Sequence, residues 1–389
     1  MEIAGISSET GEPITLTCEH SKITKIEQGL RPSALGGVDT WVSAGFCDLQ
    51  VNGYGGYDFN IGAWGDSSEI KYDLPTLMRK IVASGTALLL PTLTTNSFEN
   101  LCEALLRLAH YTLSDDPFAK CVTGIHLEGP YISKLDGPRG AHPLEHTRNP
   151  SWDEFRVLQE AARGNIKLLT LAPELTGSSA FIRKVVASGV VVAIGHTAAE
   201  PEEIREAVLA GATLSTHLGN AAHGMIKRHP NYIWEQMAQD SLYASLITDG
   251  HHLPPAVVKS MVRAKGAERV ALVSDAVALA GLPVGKYMQG RFQVLDTGKI
   301  VLADTPYLAG AGHLLDTCIP NAFSMSDLSL AQTIRSVTAI PARILGTEHK
   351  KGHLRVGYDA DVTLFRLPIT VGAGLEIVAT LCEGEVLYP

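Results

Sequence analysis

The chain has 389 residues, 45% of them hydrophobic and 19% charged, and 32 Lys and Arg against 41 Asp and Glu give it a net charge of −9. That length suits one large domain plus a small one, and the net acidity gives no electrostatic reason to expect nucleic acid or an anionic membrane as a partner. The six cysteines are scattered without a CxxC pair, no basic-then-apolar leader opens the chain, and no run is long enough to span a bilayer, so a cytoplasmic enzyme in a reducing compartment is expected.

Residues 1–44 alternate polar and apolar in short bursts, as in Ile14-Thr15-Leu16-Thr17 and Ile23-Thr24-Lys25-Ile26, with Gly and Pro between them. This pattern predicts antiparallel strands. Eight short apolar runs follow, at 45–52, 86–94, 121–128, 166–173, 190–196, 213–217, 242–248 and 269–275. Most are separated by segments whose apolar residues recur every three to four positions, among them 74–82, 98–113, 152–162, 202–210 and 256–264. Eight strand–helix units predict a (β/α)8 TIM-like barrel over 45–351. The tail from 352 to 389 returns to strand patterns, as in Asp361-Val362-Thr363-Leu364-Phe365. The two strand-rich ends, 1–44 and 352–389, therefore predict one small β-sandwich domain formed by both termini.

Nearly every run ends in a polar residue that a packed strand does not need: Gln50 and Asn52, Thr94 and Thr95, Glu128, Glu174, His196, His217, Asp249 and Asp275. In a barrel these strand ends converge on one mouth, where active sites sit. A single histidine at a strand end is as readily a loop cap as a ligand. Glu128, His196 and His217 together offer the carboxylate and two imidazoles of a catalytic zinc-type site with room for water. Asp275 alone reads as a helix cap; beside a metal triad it reads as the acid/base of a hydrolase. Lys227-Arg228-His229 is a basic cluster in an acidic chain. By itself it reads as a solvated loop, although an anionic ligand would need such donors. No glycine-rich phosphate loop follows a strand, so no nucleotide cofactor is expected.

The stretches Gly45-Phe-Cys-Asp-Leu-Gln-Val-Asn-Gly53, His126-Leu-Glu-Gly-Pro-Tyr131, Gly195-His-Thr197, Thr216-His-Leu-Gly-Asn-Ala221, Asp249-Gly-His-His252, Val273-Ser-Asp-Ala276 and Pro341-Ala-Arg-Ile-Leu-Gly346 resemble the N-acetylglucosamine-6-phosphate deacetylase family of the amidohydrolase superfamily. The resemblance covers roughly 45–365. It implies hydrolytic deacetylation of N-acetyl-D-glucosamine 6-phosphate by a homodimer. Glu128, His196 and His217 would hold one divalent metal ion, expected to be zinc, and Asp275 would be the catalytic acid/base. It further implies substrate contacts from Ala141, His142, Asn220, Ala221, His252 and the loop Leu308-Ala309-Gly310, with Arg228 reaching the phosphate across a dimer interface.

Where many amidohydrolases carry His-x-His for a second metal, this chain has Gln50-Val51-Asn52, and neutral amides are poor ligands beside imidazole, so one metal is expected. Glu174 stands where relatives with a carboxylated bridging lysine would place that lysine. The segments 222–230 and 311–313, and His251, depart from the family pattern. They leave open the galactosamine isomer as substrate. A non-catalytic scaffold of the same fold is the rival from another class, one that tends to lose the metal ligands present here.

Overall fold

The computed structural model describes residues 1–389 apart from 33, 64–67, 306 and 371. Eight parallel strands form one sheet in chain order: Phe46–Val51, Thr86–Thr94, Ile125–Glu128, Ile166–Leu171, Val191–Ile194, Leu214–Ser215, Tyr243–Ile247 and Val270–Val273. Nearly every residue of the second strand is buried, because one face fills the barrel and the other meets helices. Leu74–Val82, Phe98–Tyr111, Trp152–Ala161, Ser178–Ala187, Pro201–Ala210, Tyr232–Ala238, Pro255–Lys265 and Leu315–Met325 are the helices that return the chain after each strand in turn. The spacing predicted from sequence is the buried stripe: Phe98–Tyr111 turns Leu101, Ala104, Leu105 and Leu108 inward. Its start is set by Ser97, whose hydroxyl accepts the Asn100 N–H at 3.1 Å.

The helix after the sixth strand spans only Tyr232–Ala238, which accounts for the irregular sequence rhythm there. A three-stranded antiparallel sheet, Gly285–Tyr287, Phe292–Val294 and Ile300–Leu302, follows the eighth strand and was not foreseen from sequence. Its strands are three residues long, too short to show a period.

Among the described residues the first and eighth strands share no ladder, and the barrel closes by other means. Near the top, the Asp275 N–H donates to Gln50 O at 2.8 Å and the Asn52 N–H to Ala276 O at 2.8 Å. Lower down, the turn at Ser336 and Val337 wedges in, accepting from Leu272 N at 3.0 Å and Cys47 N at 2.7 Å. Between these, buried Asp48 accepts from Gln50 N at 3.1 Å, Ser274 N at 3.2 Å and the Ser274 hydroxyl at 2.5 Å. Burial pushes its pKa up to about 7 against the pull of these donors. Asp48→Ala strips two buried backbone N–H groups of their acceptor. It should lower the unfolding free energy of the metal-free protein by at least about 2 kcal/mol in urea titrations. An unchanged midpoint would mean that the backbone bonds alone hold the seam.

The strands of both termini pair in one seven-stranded sheet in which Leu35–Ala44 lies between Glu2–Ser7 and Val362–Arg366. This small domain has its own core, with Ile3, Leu16, Ile23, Val42, Leu364 and Leu381 fully buried. Lys351 joins Asp359 at 2.9 Å and Asp361 at 2.7 Å beneath it. The fold class read from the sequence, a (β/α)8 barrel with a small β-sandwich domain built from both ends, is the one observed, with the strands of the small domain hydrogen-bonded as one continuous sheet. No described helix is long and apolar enough to cross a membrane.

Candidate active site

A cleft of about 810 Å³ opens where the C-terminal strand ends converge. Glu128 ends the third strand, and His196, His217 and Asp275 lie just past the fifth, sixth and eighth. The ligand atoms of Glu128, His196 and His217 all fall within 4.8 Å of one another. Glu128 Oε1 is 3.1 Å from His196 Nε2 and 3.0 Å from His217 Nε2, and the two Nε2 atoms are 3.0 Å apart. His196 Nδ1 faces the Pro138 carbonyl at 3.0 Å, so it carries hydrogen and leaves Nε2 as a lone pair. Burial opposes charge on Glu128, but the two imidazoles outweigh it and hold the carboxyl well below its usual range. Burial likewise opposes charge on His217, yet Glu128 shifts its pKa upward. An oxygen and two imidazole nitrogens so placed fit a divalent cation of the zinc type.

The backbone is strained where the site is built. His196, His217, Ala221 and Asp275 adopt positive φ values of 51°, 31°, 48° and 49°. Such conformations cost on the order of 1–3 kcal/mol each in non-glycine residues and cluster at functional sites. They follow from the sharp turn each chain segment makes as it leaves its strand. Gly195 permits one of these turns, since a Cβ there would lie 2.8 Å from Thr170 Cγ2 and 2.9 Å from Thr216 Cβ. Glu174 braces the same loop, accepting from the Thr197 hydroxyl at 2.6 Å and the Ala198 N–H at 2.7 Å. It is therefore a support for the segment after His196 and is absent from the cleft lining.

Asp275 Oδ1 accepts from Asn52 Nδ2 at 2.8 Å and Gln50 Nε2 at 3.2 Å, and the same Gln50 amide donates to Glu128 Oε1 at 2.8 Å. The pair at the end of the first strand thus presents N–H donors to the two carboxylates. Burial, then the Glu128 charge, raise the Asp275 pKa to about 6. His142 and His252 line the cleft too. Burial and the neighbouring His196 lower the His142 pKa to about 3, so this ring is neutral. His252 Nδ1 meets Asp249 Oδ2 at 2.8 Å. Asp249 also accepts the His251 and His252 N–H groups, each at 2.9 Å. Despite burial, these partners hold its carboxyl far below the usual range.

Of the residues singled out from sequence, Glu128, Ala141, His142, His196, His217, Asn220, Ala221, His252, Asp275, Leu308, Ala309 and Gly310 all line this one cleft. Arg228 does not; it is exposed in the segment 224–230. Residues 222–230 and 311–313, where the sequence departs from the family pattern, contribute nothing to the lining. His251 and His313 instead stack on each other at 5.8 Å, both directed at the Thr297 carbonyl. Thr95, Arg139 and Arg291 line the cleft without having been assigned a role. In the sequence Thr95 is only a polar strand end, and the two arginines lie in loops with no local signal.

Residues 41–387 match the amidohydrolase family. The chain is 32% identical over 357 residues to the N-acetylglucosamine-6-phosphate deacetylase of Bos taurus, covering 89% of this chain and 83% of that protein. It is 29% identical over 345 residues to the N-acetylgalactosamine-6-phosphate deacetylase of Escherichia coli, covering 88% and 86%. In structure it is similar to a mutant of N-acetyl-D-glucosamine-6-phosphate deacetylase from Mycobacterium smegmatis in complex with N-acetyl-D-glucosamine-6-phosphate. The TM-score is 0.84 and the identity 27%, covering 100% of this chain and 99% of that one.

Proposed function

This chain belongs to the amidohydrolase family of metal-dependent hydrolases, among the N-acetylglucosamine-6-phosphate deacetylases, and we propose that it hydrolyses N-acetyl-D-glucosamine 6-phosphate to glucosamine 6-phosphate and acetate. The observation that carries this reading is the meeting of Glu128, His196 and His217 at one point, with Asp275 tied to Glu128 through Gln50 in the same cleft. Glu128, His196 and His217 would hold one ion, zinc in our reading, and that ion would supply a Lewis acid to polarise the amide and acidify water.

Asp275 takes a proton from the attacking water as its oxygen bonds to the acetyl carbon. It then delivers that proton to the amide nitrogen as the C–N bond breaks. His142 donates to the carbonyl oxygen as negative charge develops there. Ala141, Asn220, Ala221, His252 and the loop Leu308-Ala309-Gly310 surround the sugar. In this reading Arg228, exposed and outside the lining of its own cleft, reaches the phosphate in the cleft of a second copy of the chain, as the family resemblance implies for a homodimer. Gln50 and Asn52 spend their N–H groups on Glu128 and Asp275, which supports a single ion in place of two. Six unpaired cysteines support a reducing, cytoplasmic setting.

Acetate release by the zinc-reconstituted protein tests the reading. N-acetylglucosamine 6-phosphate should turn over fastest, ahead of the galactosamine isomer, and the unphosphorylated sugar should turn over poorly. Faster release from the galactosamine isomer would reassign the sugar. No release from any of the three, with metal bound, would overturn the deacetylase reading.

A further inference from the structure

Thr95 leaves the end of the second barrel strand buried, and it faces a side chain 47 residues later in the chain. Its hydroxyl lies 2.8 Å from His142 Nδ1, and its backbone N–H donates to the same nitrogen at 3.4 Å. A backbone N–H can only donate, which favours a lone pair on Nδ1, but at 3.4 Å that bond is long and holds the ring weakly by itself. The hydroxyl, donating to that lone pair at 2.8 Å, is the short bond that holds the ring in this form, and it is the bond that valine removes. A ring with a bare Nδ1 is neutral, and its one hydrogen is on Nε2. The opposite tautomer would set Nδ1–H against the Thr95 N–H and leave Nε2 an acceptor, which repels a carbonyl oxygen.

The space for this hydroxyl is built into the fold. A Cβ at Gly129, which follows the third strand with φ +90°, would come within 2.2 Å of Thr95 Oγ1. Only glycine both adopts that backbone easily and clears that space. The His142 segment is held from its other side by Arg139, whose guanidinium donates to the His142 carbonyl at 3.1 Å.

We propose that Thr95 is a positioning residue that locks His142 in its Nε2–H form, so that the ring offers the acetamide oxygen a donor and never an acceptor. This inference rests on the oxyanion role given to His142 above. The test is kinetics of the zinc-loaded enzyme on N-acetylglucosamine 6-phosphate, with metal content measured on each protein. Thr95→Val keeps the shape and removes the hydroxyl. It should lower kcat by about tenfold or more, with KM changed less than about twofold and the metal retained; loss of an entire oxyanion donor elsewhere costs about 10²–10³. Thr95→Ser restores the hydroxyl and should return kcat to within about threefold of the parent. In a His142→Ala background, Thr95→Val should have no further effect, because its route runs through that ring.

Parental kcat in Thr95→Val, beside a His142→Ala variant that has lost turnover, would overturn the role of Thr95 alone. So would a loss of metal, or a Thr95→Ser variant as impaired as the valine. Normal turnover by His142→Ala would instead remove the oxyanion reading of His142 itself.

Discussion

Asp275→Asn should bind its metal ion with the stoichiometry of the parent and release acetate at least about a thousandfold more slowly, since one carboxylate serves here as both base and acid. The substitution is a clean one on this geometry. Asn52 Nδ2 and Gln50 Nε2 both donate to Oδ1, and the amide oxygen of an asparagine can accept both bonds. The first strand, the Gln50 link to Glu128 and the Asp275 N–H bond to Gln50 O therefore persist. What disappears is the capacity to take a proton from water and hand it to nitrogen.

The pH dependence follows in sign. Asp275 works as a base only when ionised, so kcat/KM should fall as pH drops through its pKa. Burial and Glu128 raise that pKa to about 6, and a cation held by Glu128 and the histidines would lower it again. The acid limb should lie at or below that value. Metal analysis by mass spectrometry together with acetate assays across pH checks both statements. Parental turnover by Asp275→Asn would remove Asp275 from the chemistry.

His196→Ala should purify with less than about a tenth of an ion per chain, and its affinity for zinc should fall by more than about a hundredfold, since even outer partners of metal ligands are worth 10–100-fold. His196 is anchored for its task at both ring nitrogens, with Nδ1 on the Pro138 carbonyl and Nε2 at the point shared with Glu128 and His217. Alanine leaves two ligands, too few for a stable zinc site with water. The loss has a readout separate from activity. An ion at a thousand times its Kd adds about 4 kcal/mol to the folded state, so added zinc should raise the melting temperature of the parent and leave that of His196→Ala unmoved. A variant that keeps stoichiometric zinc would show that the ion is held elsewhere.

The sequence by itself determined the frame. A parallel strand buried on both faces must be apolar throughout, so the eight strands stand out as runs, and a polar residue at the end of such a run has no packing reason to be there. Glu128, His196, His217 and Asp275 were legible on that ground. The paired ends of the chain were legible because short alternating bursts fit a half-buried strand and nothing else in this chain. Much of the site vocabulary, such as the Asn220–Ala221 pair and the 308–310 loop, came from family resemblance; local pattern alone did not single it out.

Tertiary structure decided whatever depends on distance across the chain. That His196 and Glu128, 68 residues apart, meet at 3.1 Å is a property of the closed barrel. The seam that closes it joins the Gln50 and Asn52 backbone to Asp275 and Ala276 and runs through Asp48 and the turn at Ser336 and Val337, which no local pattern marks. Thr95 is one more polar strand end until His142 is placed against it and Gly129 leaves room for its hydroxyl. Glu174, equally conspicuous in sequence, turned instead to a loop backbone. Local sequence sets which groups sit at strand ends, because burial along a strand is a local matter; which of those groups face one another is set by how strands from distant parts of the chain pack.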